Sequence, residues 1–244
     1  DTSRPVTGAL AGVVMSNQTT YPQAVDVVGY NYTENRYDED HATYPDRVIY
    51  GSENGQGYDA WLAVRDKDFI SGQFLWTGAD YLGESGRWPS RGLGTGLLGF
   101  DNLPKGRGKF RASLWSNEPV AFLGAYPCPP AQWGDWMSID APDVWNFNEG
   151  DSVRVVCYTN APYGRLLLNG KEYGPRKAFD DKKGMVHWDL PFAPGTLVVE
   201  ASDESGRVVA TDTIATSGLP YALRVTELDN RDGVLQLLVE VVDD

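Results

Sequence analysis

Three short apolar runs end in side chains that could together handle a sugar. The run at 25–32 ends in Asn31 and Tyr32, and the run at 47–54 ends in Glu53 and Asn54. The run at 69–76 ends in Trp76, with Asp80 and Glu84 in the segment that follows. A carboxylate can serve as nucleophile, acid or base. Tyr and Trp rings offer apolar faces to the C–H faces of a pyranose while keeping a polar handle. In a β/α barrel such groups collect at the C-terminal ends of the strands. Polar residues after a strand are also ordinary loop residues, so spacing alone leaves both readings open.

The elements that must position these groups follow from the pattern. Four continuous apolar runs, at 5–10, 25–32, 47–52 and 69–76, suit strands of a parallel sheet buried on both faces. The connections are long enough for crossover helices. Helical signals lie at 58–65 and 109–115, whereas 11–22 carries none that is convincing. Residues 1–117 therefore read as four β/α units, half of an eight-stranded barrel, which alone would leave two open sheet edges.

From residue 118 the helical period gives way to short β-rich runs at 152–158, 165–168, 185–190, 196–201 and 208–214. Asn169-Gly170 is a hairpin turn signal. The spacing predicts an antiparallel β-sandwich of immunoglobulin type over 118–220, after a Pro-rich linker near 126–130. The apolar run 234–242 is a further strand, either the last of that sandwich or the start of another β domain within 221–244.

Composition excludes several classes. The net charge of −13 argues against nucleic acid or an anionic membrane as the main partner. No run of 18 apolar residues exists to cross a membrane. Two Cys, Cys128 and Cys157, and two His, His41 and His187, suggest neither a disulfide framework nor a zinc site. The run 92–99 is Gly-rich but lacks the Lys-Ser/Thr ending of a phosphate loop, and is read as a surface loop over the barrel rim. Trp133, Trp136 and Trp145 cluster near the start of the sandwich, which leaves room for a non-catalytic carbohydrate-binding or structural module as an alternative.

The wording of the motifs resembles the catalytic barrel of glycoside hydrolase family 2, the group containing β-galactosidases, β-glucuronidases and β-mannosidases. DTSRPVT at 1–7, VVGYNY at 27–32, VIYGSENG at 48–55 and ISGQFLWTGADYLGE at 70–84 resemble strands five to eight in order. VVCYTN at 155–160, LLLNGK at 166–171, HWDLP at 187–191 and PGT at 194–196 resemble the immunoglobulin-like domain that follows the barrel in β-galactosidase-like members. The resemblance implies a retaining exo-glycosidase acting on terminal β-galactosides or related β-glycosides. It implies Glu53 as nucleophile, with Glu84 its main rival, and Tyr32 as the tyrosine that hydrogen-bonds it. Trp76 would floor the sugar subsite, and Asn31, Asn54, Asp80 and Glu84 would line it.

The family acid/base is the Glu of an Asn-Glu pair at the end of strand four. Asn117-Glu118 and Asn148-Glu149 follow no strand of the barrel half, so that residue is expected in a missing N-terminal part of the same polypeptide, and 1–244 to be an inactive fragment. A carbohydrate substrate is implied, and no cofactor. A homo-oligomer is compatible with the resemblance, and a periplasmic or secreted location suits polysaccharide degradation, although no signal for it lies within the chain.

Overall fold

The computed structural model describes residues 3–132 and 136–243. Strands β1 (Thr7–Leu10), β2 (Val27–Asn31), β3 (Val48–Asn54) and β4 (Ile70–Leu75) form a parallel sheet in sequence order. The sheet is open, with β1 and β4 as its edges. Its connections carry α1 (Val13–Ser16), α2 (Tyr37–Thr43) and α3 (Tyr58–Arg65). The segment 11–22 lacked helical periodicity, and it supplies only the single turn α1. Leu10, Val13, Val28, Tyr30, Tyr37 and Ile49 close a core under the helical face. On the other face Phe74 is 63 % exposed.

A buried carboxylate ties this core together. Asp40 on α2 accepts hydrogen bonds from Asn17 Nδ2 at 2.9 Å, Tyr30 Oη at 2.8 Å and Arg36 Nη2 at 2.9 Å. Arg47 bridges the same cluster by donating to Asn17 Oδ1 and Tyr30 Oη, each at 2.9 Å. Burial alone would raise the Asp40 pKa, but the donors Asn17, Tyr30 and Arg36 overcome it and hold it below its ordinary value. A depressed folded pKa contributes stability above the unfolded value of about 3.9 and loses it as pH falls through the folded pKa. Wild-type protein is therefore expected to lose more stability than Asp40→Asn between about pH 5 and pH 3. At neutral pH the variant should already be weaker by about 3 kcal/mol, because Arg36 and Arg47 lose their anion. Denaturant titrations at both pH values read this out, and equal acid losses in the two proteins would refute it.

After β4 comes a small ribbon of β5 (Tyr81–Leu82) and β6 (Gly92–Leu93), then helix α4 (Gly106–Trp115). The remainder is antiparallel. Strands β7 (Ala121–Pro127), β8 (Ser152–Thr159), β9 (Tyr163–Leu168), β10 (Lys171–Glu172), β11 (Lys177–Ala178), β12 (Val186–Pro191), β13 (Thr196–Ser202) and β14 (Val208–Ala215) build two facing sheets. One has the order β12-β8-β7; the other has the order β10-β9-β13-β14, with β11 also on β9. Asn169 (φ 52°) and Gly170 (φ 75°) make the expected β9–β10 turn.

The β12-β8-β7 sheet is covered on both faces, which is why β8 is buried along almost its whole length. Val153, Val155 and Cys157 point into the core between the sheets, with Trp145, Trp188 and Leu197. Val156 and Tyr158 point the other way and pack with Tyr58 of α3 and Phe110 of α4. Arg154 in the same strand is buried and forks onto Asp189 at 2.6 and 2.8 Å. Cys128 and Cys157 are both buried.

Strand β16 (Val234–Val242) pairs with β15 (Ala222–Arg231) and with neither sandwich sheet. Only β16 stood out in the sequence, although Asp232 and Gly233, both at positive φ, form the Asp-Gly hairpin signal between the two strands. Among the described residues no helix is long and apolar enough to cross a membrane.

Candidate functional site

The residues of interest meet at the C-terminal edge of the parallel sheet, and the backbone stitches them together. Tyr32 N donates to Glu53 O at 2.8 Å, and Trp76 N donates to Asn54 O at 3.0 Å. Asn31 lies level with Glu53 in the ladder.

A bulge aims the carboxylate. Tyr30 pairs with Gly51, but Asn31 pairs with Glu53, so β3 carries one extra residue against β2. Strict alternation would place Glu53 on the helical face with Ile49. Instead Asn54 takes that side: it is fully buried, and its Oδ1 accepts a hydrogen bond from Tyr37 Oη at 3.4 Å. Asn54 Oδ1 lies 1.8 Å from where a Cβ on Gly51 would sit, so only glycine fits there. With Asn54 turned to the helices, Glu53 faces the opposite side and is half-buried. Asn54 was expected to line the sugar site; the structure buries it behind the strand instead.

Two phenols feel the charge of Glu53. Tyr32, at φ 48°, has its pKa pushed up to about 12 by desolvation first and then by hydrogen bonding and charge from Glu53. Tyr81 also reaches about 12, through desolvation, then Glu84, with a smaller contribution from the Glu53 charge. Both phenols therefore keep their protons at neutral pH and remain donors to a carboxylate. Tyr81 was absent from the residues singled out in the sequence, although it lies inside the 70–84 motif. Its ring meets Trp76 edge-on at 6.0 Å, and Trp76 is 37 % exposed.

The remaining candidates divide. Glu84, exposed and at φ 44°, accepts a hydrogen bond from Tyr81 Oη. Asp80 was expected as a sugar contact, but its Oδ1 accepts from Gly96 N at 2.7 Å and both oxygens accept from Lys105 Nζ, at 3.1 and 3.2 Å. It holds the Gly-rich segment, which is zipped to the strand-end loop through Leu97 N to Thr77 O and Leu98 N to Gly78 O, each at 3.1 Å. A Cβ on Gly96 would lie 2.1 Å from Asp80 N, which explains the glycine. Of the three Trp near the sandwich entry, Trp145 is fully buried core and Trp136 is 70 % exposed; Trp133 lies outside the described residues. Among the described residues no group of His, Cys, Asp and Glu could hold a metal ion.

A family model described as a domain of unknown function (DUF4982) matches residues 150–210. Beta-galactosidase BoGH2A of Bacteroides ovatus is 29 % identical in an alignment covering all of this chain and 33 % of that protein. The crystal structure of a glycosyl hydrolase family 2 member from Bacteroides cellulosilyticus superimposes with a TM-score of 0.84 at 32 % identity, covering 100 % of this chain and 33 % of that one. A β-glycosidase structure from Bacteroides vulgatus shares the fold, with a TM-score of 0.76 at 18 % identity, over all of this chain and 37 % of its own. The chain spans about a third of the length of these relatives.

Proposed function

From the premise that this chain is homologous over its whole length to a third of glycoside hydrolase family 2 proteins, we propose that it carries the nucleophile half of a retaining β-galactosidase-like active site. On this reading β1 to β4 are strands five to eight of a β/α barrel, and the open face with Phe74 turns toward the barrel interior. The two facing sheets form an immunoglobulin-like sandwich. The substrate is a terminal β-galactoside or a related β-glycoside of an oligo- or polysaccharide.

Glu53 attacks the anomeric carbon and forms a glycosyl-enzyme as the leaving oxygen departs. A second carboxyl group first protonates that oxygen and then activates the water that releases the sugar. Tyr32, protonated at neutral pH, donates to the Glu53 carboxylate and so aims it. Trp76 offers its indole as the sugar platform, held in place by Tyr81. The observation that carries this reading is the β3 bulge that turns Glu53 off the helical face, between strand ends that bring Tyr32 and Trp76 beside it through backbone hydrogen bonds.

The second carboxyl group is assigned to polypeptide outside 1–244. Purified residues 1–244 are therefore expected to show no turnover of an aryl β-galactoside, whereas the full-length protein hydrolyses it. Retention of anomeric configuration, read by NMR of the first-formed product, tests the mechanism. Turnover by 1–244 alone, or an inverted first product, would overturn the assignment.

A further inference from the structure

Three residues beyond Glu53, the side chain of Gln56 joins parts of the chain that are far apart in sequence. It is only 7 % exposed. Its Nε2 donates to Thr77 O at 3.1 Å and to Thr95 O at 2.6 Å. Its Oε1 accepts from Arg107 Nη1 at 3.2 Å. Its backbone carbonyl accepts from Arg111 Nε at 2.8 Å, and Arg111 Nη2 reaches Gly55 O at 3.0 Å. Every polar atom of the amide therefore has a partner inside a buried network, where a lost partner is costly.

The orientation of the amide is imposed from outside the sheet. Arginine has donors only, so Arg107 can face Oε1 but not Nε2. Arg107 is itself held, its Nη2 on Asp140 Oδ2 at 2.5 Å and its backbone N on Asp140 Oδ1 at 3.1 Å. Asp140 lies in the linker between β7 and β8 of the sandwich. That linker is pinned by Tyr158 of β8, which accepts from Ala141 N at 3.0 Å and donates to Ser138 O at 2.9 Å. A continuous path thus runs from the sandwich through Asp140 and Arg107 to Gln56, and from Gln56 to the residue after Trp76.

We propose that Gln56 is a positioning residue that sets Trp76 against Glu53, and that Asp140 and Arg107 deliver the sandwich's contribution to that alignment. Glu53 and Trp76 stand on neighbouring strands, and beyond their ends the backbone has left the ladder. The Gln56 amide takes over where strand pairing stops, fixing the carbonyl of Thr77 relative to the loop that follows Glu53. The sandwich then acts as more than a spacer: it holds the cation that orients the amide. This inference rests on the glycosidase reading above.

The test uses the full-length enzyme with an aryl β-galactoside, measuring kcat, KM and the thermal midpoint. Gln56→Met keeps the volume and removes every donor and acceptor. It is expected to lower kcat by about 30- to 100-fold, as a small misalignment does, with KM within about threefold of wild type. Arg107→Met should lower kcat by about tenfold, whereas Arg107→Lys, which can still donate to Gln56 and Asp140, should stay within about threefold. A purely structural role would lower the thermal midpoint without this split between kcat and KM. Wild-type kcat in both Met variants, or equal impairment of Arg107→Lys and Arg107→Met, overturns the proposal. If Gln56→Met does not fold, the two Arg107 variants decide it. Wild-type and Glu53→Gln enzymes are run in parallel. Absent wild-type hydrolysis, or unchanged hydrolysis in Glu53→Gln, would defeat the glycosidase reading itself rather than this inference alone.

Discussion

Glu53→Gln in the full-length enzyme is expected to lower kcat toward aryl β-galactosides by on the order of 10⁴-fold or more, while KM changes little. The amide is nearly isosteric and still accepts a hydrogen bond from Tyr32, so the pocket keeps its shape. What it loses is the negative charge and the ability to form a bond to the anomeric carbon. A factor of 10⁴ corresponds to about 5 kcal/mol of transition-state stabilisation, which suits loss of a covalent step rather than of a binding contact. The same change at Glu84, the rival acid, should cost far less, because Glu84 is exposed and bonded to Tyr81. Near wild-type rates in Glu53→Gln, or a larger loss in Glu84→Gln, would move the chemistry away from β3.

Trp145→Ala is expected to destabilise the sandwich by about 3–5 kcal/mol, the cost of emptying a large buried site. Trp145 is fully buried between the two sheets, edge-on to Phe192 at 5.0 Å and to Phe147 at 5.8 Å. Its Nε1 donates to Ala193 O at 3.1 Å, so the carbonyl is orphaned as well. In a chain of this size that loss should lower the thermal midpoint by roughly 6–20 °C. Trp136→Ala, at a position 70 % exposed, should stay within about 0.5 kcal/mol of wild type. The pair also bears on the alternative in which these rings bind carbohydrate. A stable Trp145→Ala that had lost affinity for galactosides would favour a binding module over core packing.

Much of the architecture was legible because periodicity and turn chemistry are local properties. The four apolar runs, the helix at 58–65 and the Asn169-Gly170 turn all depend on residues close in sequence, and each appears in the structure. Strand β15 escaped because Arg224, Glu227, Asp229 and Arg231 break up its apolar residues, whereas its partner β16 is an almost continuous apolar run. Tyr81 escaped because an aromatic after a strand looks like any loop residue until the backbone brings it against Trp76. Asp80 and Asn54 looked like site residues for the same reason, since a polar residue at a strand end does not declare its partner.

The sequence by itself determined that Glu53 ends an apolar strand among aromatic strand ends, and that its surroundings resemble a glycosidase barrel. It could not determine which way Glu53 points. A period of two would have turned it toward the helices, with Ile49. The bulge inverts that period, and it depends on pairing with β2 and on Asn54 filling the space that Gly51 leaves open. Those are contacts between segments, and no local propensity encodes them. The same holds for Gln56, whose four hydrogen-bond partners, Thr77, Thr95, Arg107 and Arg111, lie 21 to 55 residues further along the chain. Only the folded chain brings those partners to one residue, because each hydrogen bond requires its two groups to meet after the intervening sheet and helix have packed.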